Sequence, residues 1–104
     1  MLRTTLLLLP LTLAFAAAPA AASLALAQKN ACVACHAADK KLLGPSYAEV
    51  AKKYAGQKDA VEKLKASIKA GGIGKWGQIP MPAQPNLSDA DATALATWIL
   101  GGAK

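Results

Sequence analysis

Apolar residues recur at helical spacing in four stretches of the chain. The first stretch runs up to residue 32 and carries Leu24, Ala27 and Ala31 on one side, which predicts a short helix running into residue 32. The second begins at Ser46, an N-cap serine, and Glu49 three residues later completes a capping box. The apolar face of this second helix has four members: Tyr47, Val50, Ala51 and Tyr54.

The third and fourth helices are bounded by polar caps at their starts and by glycine pairs at their ends. Asp59 predicts the start of the third helix, and Ser88 predicts the start of the fourth. The buried faces of these two helices are predicted to contain Val61, Leu64, Ile68, Ala92, Leu95, Trp98 and Ile99. No window alternates convincingly between apolar and polar residues, so the pattern predicts an all-α domain without a sheet of consequence.

The first 22 residues are typical of a secretory signal peptide. A basic residue near the start is followed by an apolar run over residues 6–13 and by an alanine-rich end. We therefore predict that residues 1–22 are a cleaved leader, that residues 23–104 form the mature domain, and that the mature protein lies in the periplasm. Two prolines interrupt the leader, and its apolar centre is shorter than the roughly 20 residues that a membrane-spanning helix needs. An uncleaved leader that tethers the domain is the alternative.

Cleavage before Ser23 is preferred to cleavage after Ala27. The later cut would remove Leu24 and Leu26, which are the only large apolar side chains between the leader and residue 32.

Loss of the leader's single arginine leaves eleven lysines against six acidic residues. Because a domain of this size has a small core, it commonly depends on a disulfide, a metal or a cofactor. The lysines of the mature chain are not accompanied by arginines or by an aromatic patch, so they do not form the surface that binds nucleic acid, and no nucleic acid partner is expected.

Cys32-Val33-Ala34-Cys35-His36 is the attachment sequence of a c-type haem, and it contains every cysteine and histidine of the chain. Two thiols at this spacing can form thioether bonds to one haem while the imidazole reaches its iron. A zinc site would lack a fourth protein ligand. A thioredoxin-like pair would lack its preceding strand, and a structural disulfide is the remaining alternative. The pentad therefore predicts one covalent haem c, which would also supply the core.

Met81 is the candidate for the second axial ligand. It lies between two prolines in the 71–87 connection, and it is the only methionine apart from Met1. So long a connection is unusual in a small domain unless it has a function. The prolines restrict the backbone and can present the thioether rigidly, and a thioether ligand raises the reduction potential of a haem. The alternative is a methionine that fills a gap in the core.

These residues together resemble the small bacterial class I cytochromes of the c551/c8 type. The resemblance covers nearly all of residues 23–104, through five segments: 30–36, 44–45, 51–56, 75–82 and 95–98. It implies the class I cytochrome c fold, with three to four helices wrapped around one haem. The four residues that would hold the haem covalently or ligate its iron are Cys32, Cys35, His36 and Met81.

Two further contacts are implied by the resemblance. The carbonyl of Pro45 would accept a hydrogen bond from Nδ1 of His36, and the indole N–H of Trp76 would bind a haem propionate. Packing of Trp76 against the porphyrin is the alternative.

Two features depart from the family pattern. Ser67 stands where some members have a basic residue near a propionate, and a loop one residue longer leaves either Gln84 or Asn86 to bond near the methionine sulfur.

The function implied is that of a soluble periplasmic one-electron carrier rather than an enzyme, because two protein ligands leave the iron no open position. A haem enzyme or ligand-binding haem protein with an open sixth position is the alternative. Expected partners are periplasmic or membrane-bound redox enzymes: a donor such as a cytochrome bc1-type complex, and an acceptor such as a terminal oxidase or nitrite reductase. The chain is expected to act as a monomer.

Four lysines are predicted to surround the exposed haem edge and to steer acidic partners towards it: Lys29, Lys40, Lys41 and Lys75. The alternative is that these lysines only form a solvated surface.

Overall fold

The computed structural model describes residue 10 and residues 19–104, and within that part of the chain it contains four α-helices. They are α1 (Pro19–Lys29), α2 (Tyr47–Tyr54), α3 (Ala60–Ala70) and α4 (Asp89–Leu100), with one 3₁₀ turn at Cys32–Ala34. Strand pairing in the described residues is limited to two isolated bridges, His36 with Lys41 and Gly72 with Met81. The predicted all-α fold is therefore confirmed.

Helix α4 is the centre of the fold and contacts each of the other three helices. Two of its buried residues, Ala92 and Ala96, are small and fully inaccessible, so neighbouring helices can approach its backbone closely. Leu95 lies between them and is 1% exposed. The remaining buried apolar residues come from α1, α2, α3, the turn before α4 and the last turn of α4: Ala27, Tyr47, Val50, Tyr54, Leu64, Ile68, Leu87 and Ile99.

Both predicted serine caps are present. The Oγ of Ser46 accepts a hydrogen bond from the amide of Glu49 at 3.1 Å, and the Oγ of Ser88 accepts one from the amide of Asp91 at 3.1 Å. Each bond satisfies an amide that has no partner inside its own helix. Helix α3 also begins where the sequence predicts, but the capping hydrogen bond expected from Asp59 is absent. Asp59 has a left-handed backbone with φ 60°, whereas a capping side chain needs an extended one, and Asp59 makes no side-chain cap.

The first helix does not run into the haem-attachment pentad, contrary to the sequence prediction. It ends at Lys29, and the Leu26 carbonyl accepts hydrogen bonds from both the amide and the side chain of Asn30, at 3.1 and 2.9 Å. Ala31 then takes a left-handed conformation with φ 58°, which turns the chain away from the helix axis. Both cysteines are therefore presented by the 3₁₀ turn and the residue that follows it.

Trp98 is only half-buried, although the periodicity of α4 predicts a core position. Its ring lies 5.2 Å from that of Tyr47 with an angle of 59° between the planes. Together with Leu24, it borders a shallow surface cleft beside the pentad. Trp98 thus joins α4 to α2 at the edge of the core, with α1 nearby.

Most of the predicted leader lies outside the described residues. Helix α1 begins at Pro19, so its first turn belongs to the segment that we expect to be removed. Leu24, which favoured cleavage before Ser23, is 45% exposed, whereas Ala27 is completely buried in the core. None of the helices in the described residues has the length and apolar character needed to cross a membrane.

Candidate haem-binding site

A single cavity of about 260 Å³ brings together all six residues that the sequence singles out. Its walls are formed by the pentad, by α2, α3 and α4, and by the connection between α3 and α4. Most of the lining is apolar and includes the buried residues Val50, Leu64, Ile68 and Leu95. The six predicted residues on its walls are Cys32, Cys35, His36, Pro45, Trp76 and Met81.

The two cysteines are half-buried, and neither forms a disulfide. Burial raises the pKa of the Cys32 thiol, a backbone hydrogen bond opposes this, and the neighbouring Cys35 raises the pKa further. Cys32 therefore stays protonated near neutral pH, which slows thiol–disulfide exchange. In residues 19–104 no group of three or more His, Cys, Asp or Glu side chains could hold a metal ion, so the zinc alternative lacks a ligand set there.

His36 is oriented by a hydrogen bond to the chain that follows the pentad. Its Nδ1 lies 2.7 Å from the carbonyl oxygen of Pro45. Because a carbonyl can only accept, Nδ1 carries the proton and Nε2 keeps its lone pair for a metal. Pro45 is itself buried and immediately precedes the cap of α2, so the carbonyl is held in place. The imidazole also stacks on Tyr47, with 5.7 Å between ring centroids.

Gly44 provides the space for the imidazole. A Cβ at this position would lie 2.5 Å from Cε1 of His36 and 2.9 Å from Nδ1. Any side chain would therefore move the ring or the backbone. In the sequence, Gly44 marks only a loop, because its approach to His36 depends on how the chain folds back after the pentad.

The backbone of Met81 is fixed by the glycine pair that ends α3. Gly72 donates to the Met81 carbonyl at 3.1 Å, and the Met81 amide donates back to Gly72 at 2.8 Å. Gly71 has φ 65°, and a Cβ there would collide with the Met81 carbonyl oxygen. The half-buried Met81 side chain lines the same cavity as His36. Neither Gln84 nor Asn86, the two candidates for a bond near the sulfur, lines this cavity.

Lys75 makes a contact that the sequence does not predict. Its side chain is exposed, and its Nζ donates to the hydroxyl of Tyr54 at 3.2 Å. Beside it, Nζ of Lys53 lies 4.3 Å from the ring centroid of Trp76, a cation–π contact. All four lysines of the predicted docking set are exposed: Lys29, Lys40, Lys41 and Lys75. Sequence spacing cannot detect the contact between Lys75 and Tyr54, because 21 residues separate the pair.

A family model described as cytochrome c matches residues 20–103. The chain belongs to the cytochrome c family. It is 57% identical over 75 residues to cytochrome c-552 of Hydrogenobacter thermophilus, covering 72% of this chain and 76% of that protein. It is 48% identical over 89 residues to cytochrome c-551 of Allochromatium vinosum, covering 85% and 95% respectively.

The fold is also similar to that of a solved cytochrome c. The crystal structure of wild-type Nitrosomonas europaea cytochrome c552 superposes with a TM-score of 0.74 at 52% identity, covering 76% of this chain and 98% of that one. Small cytochromes c of this type carry one covalently bound haem c and transfer electrons. The predictions of a c551-type cytochrome, a class I cytochrome c fold, a haem c cofactor and an electron-transfer function are therefore confirmed.

The residues of this chain fit the haem c of the family. Two unpaired thiols border a largely apolar cavity, as thioether attachment requires. The imidazole of His36 has one nitrogen bonded to Pro45 and the other available for a metal. The missing side chain at Gly44 leaves the ring room to keep that orientation.

Proposed function

We propose that this cytochrome is a one-electron carrier and not an enzyme. In this proposal Cys32 and Cys35 form the thioether bonds, and His36 and Met81 occupy the two axial positions of the iron. The observation that carries the proposal is that His36, with Nδ1 bonded to Pro45, and Met81, with its backbone paired to Gly72, line one cavity. Two protein ligands leave no position for substrate or dioxygen.

Each part of the chain has a separate task at this site. The haem iron supplies reversible one-electron chemistry when it is bound. The Pro45 carbonyl fixes the tautomer and orientation of His36, and the Gly71–Gly72 pair fixes the backbone of Met81. The apolar lining excludes water and, together with the soft thioether, favours the ferrous state.

The edge of the cavity offers a surface for electron exchange. Three large apolar residues line the cavity and are nevertheless more than half exposed: Leu43 at 56%, Ile73 at 63% and Ile79 at 59%. Such a rim gives a redox partner an apolar contact close to the haem edge. It supports electron transfer between bound partners without diffusion of a small molecule.

Absorption spectroscopy of the purified holoprotein tests the carrier assignment. We expect a low-spin ferric spectrum with the weak red band of methionine-ligated iron, and a ferrous form that does not bind carbon monoxide. High-spin ferric iron, or avid binding of carbon monoxide, would instead indicate a haem enzyme or ligand-binding protein with an open sixth position.

We further propose that the protein is exported and that cleavage before Ser23 yields residues 23–104. Complete burial of Ala27 supports this site over cleavage after Ala27, which would remove a core residue. N-terminal sequencing of periplasmic material tests the assignment. A start at Ser23 is expected, whereas a start at Gln28 or an intact leader would contradict it.

The proposed partners are periplasmic or membrane-bound redox enzymes, with a bc1-type complex as donor and a terminal oxidase or nitrite reductase as acceptor. Three exposed lysines near the pentad support docking to acidic surfaces: Lys29, Lys40 and Lys41. Lys41 is close to the site, because its backbone pairs with that of His36. Oxidation of the reduced protein by each candidate partner should slow as salt increases. A rate that is flat or rises with ionic strength would contradict electrostatic docking.

A further inference from the structure

One edge of the haem cavity carries a cluster of cations and hydroxyl groups. Lys75 Nζ lies 3.2 Å from the Tyr54 hydroxyl and 3.5 Å from Oγ of Ser67, so the loop is joined to α2 and α3 at a single ammonium group. Lys53 adds a second ammonium, 4.3 Å from the Trp76 centroid, and donates to the Lys75 carbonyl at 3.4 Å. We call these five residues the Lys75 corner. Four of them line the cavity, the exception being Lys53.

The Lys75 corner has two positive charges and no carboxylate partner among the described residues. The lysines that form ion pairs in residues 19–104 are Lys65 and Lys69, whose partners are Glu62 in α3 and Asp89 in α4. Lys75 is instead held by two neutral hydroxyls. An ammonium group has three protons to donate, so the two hydroxyl acceptors leave one proton without an acceptor. The phenol of Tyr54 accepts from Lys75 and keeps its own proton to donate.

The phenol of Tyr54 responds to the charge of the corner. Burial raises its pKa, but polar contacts with Ser67 and Lys75 and the charges of Lys75 and Lys53 outweigh burial, and the net effect lowers the pKa. The side chain is 5% exposed, so this field acts on a group inside the cavity wall. A positive field at the edge of an apolar cavity favours an anion there.

We propose that Lys75, held by Tyr54 and Ser67, pairs with a propionate carboxylate of the haem. This inference rests on the proposed haem site. Propionates are the only anionic groups on the periphery of a haem, and this corner supplies two ammonium groups and two hydroxyls at the cavity edge. Lys75 therefore serves the bound cofactor, whereas the sequence pattern assigned it to partner docking.

The pairing has a consequence for the reduction potential. An ionised carboxylate favours ferric iron, so the potential falls as pH rises through the carboxylate pKa. An adjacent ammonium lowers that pKa by about 1 to 3 units, which keeps the carboxylate ionised near neutral pH and the potential flat. The groups that would surround the carboxylate are Lys53 and Tyr54 from α2, Ser67 from α3, and Lys75 and Trp76 from the loop.

The experiment measures the reduction potential of the holoprotein against pH for the native chain and for Lys75→Gln. We expect the inflection of Lys75→Gln to lie about one pH unit or more above that of the native chain. Lys75→Arg keeps the charge and should retain the native inflection. Lys63→Gln removes an exposed α3 lysine outside the corner, and it is the matched control for charge loss alone.

The outcomes separate this inference from the carrier proposal. Absorption spectra of every variant report the axial ligands, so a high-spin spectrum of the native protein would defeat the carrier proposal before any titration. If all variants are low-spin and Lys75→Gln has the same inflection as Lys63→Gln, the propionate role is wrong. If Lys75→Gln slows oxidation by a partner at low salt without moving the inflection, Lys75 serves docking, and the propionate role is again wrong.

Discussion

The imidazole of His36 rests directly against Gly44, where a Cβ would lie 2.5 Å from Cε1 and 2.9 Å from Nδ1. Gly44 also immediately precedes Pro45, whose carbonyl oxygen accepts a hydrogen bond from that Nδ1 at 2.7 Å. One dipeptide therefore provides both the space for the imidazole and the hydrogen bond that orients it.

Gly44→Ala is expected to destabilise the holoprotein by about 1–3 kcal/mol, because the added methyl group overpacks the imidazole. The displaced ring should also change the absorption spectrum of the haem. Thermal unfolding and absorption spectroscopy measure the two effects. Gly101→Ala is the control, since a Cβ there meets the nearest backbone atoms at 3.5 Å, an ordinary contact, and φ is −82°. A Gly44→Ala variant as stable as Gly101→Ala would contradict the steric explanation.

Met81→Ala is expected to open one side of the iron while leaving the covalent attachment intact. The ferric spectrum should become high-spin, the reduced protein should bind carbon monoxide, and the reduction potential should fall because the thioether is lost. Ile79→Ala alters an exposed residue of the same loop that also lines the cavity, and it should keep the native spectrum. If Met81→Ala retains the native low-spin spectrum, another residue ligates the iron.

The local features of the fold were predictable from the sequence, because they depend on near neighbours. The caps at Ser46 and Ser88 lie three residues from the amides they bind, and the pentad is contiguous. The features that were missed depend on residues brought together by folding. One example is the hydrogen bond between Lys75 and Tyr54, whose sequence separation is 21. Another is the packing of Gly44 against His36.

Periodicity also fails where one residue changes the direction of the backbone. Leu24, Ala27 and Ala31 are spaced for one helix, but α1 ends at Lys29, two residues before Ala31. Ala31 is then left-handed, a conformation that is uncommon for alanine and that no periodic pattern signals. The sequence therefore predicts the helix correctly and its end incorrectly.

The two serine caps are expected to differ in their contribution to stability. Ser46→Ala should cost about 1–2 kcal/mol, because Ser46 is 2% exposed and water cannot readily replace its bond to the Glu49 amide. Ser88→Ala should cost about 0.5–1 kcal/mol, because Ser88 is exposed and its amide partner can bind water.

Asp59→Asn is the control for both serine variants, and denaturant unfolding followed by circular dichroism measures all three. Asp59 makes no side-chain cap, and asparagine tolerates the same left-handed backbone, so a change within about 0.5 kcal/mol is expected. A cost for Asp59→Asn as large as that for the serines would mean that Asp59 caps α3 in solution.

Tyr47 is expected to limit stability at alkaline pH. Its hydroxyl is buried without a hydrogen-bond partner among the described residues. Burial, with a smaller effect of the Cys32 charge, raises the pKa of Tyr47 from 10.0 to about 12. A thioether at Cys32 would remove the smaller cause and leave burial, so the direction is kept. Because the unfolded phenol ionises first, the stability that Tyr47 contributes is fully present below pH 10.0 and lost between there and about 12.

Tyr47→Phe should remove that part of the alkaline loss, which amounts to about 1.4 kcal/mol per pH unit for one phenol. Near neutral pH the same variant should be at least as stable as the native chain, because it deletes a buried hydroxyl without a partner. Tyr54→Phe is the matched control: the pKa of Tyr54 is lowered, so its ionisation favours the folded state and its removal should steepen the alkaline loss. Unfolding free energies at neutral and alkaline pH measure both variants. Equal alkaline slopes in native protein and Tyr47→Phe would show that Tyr47 ionises as readily when folded as when unfolded.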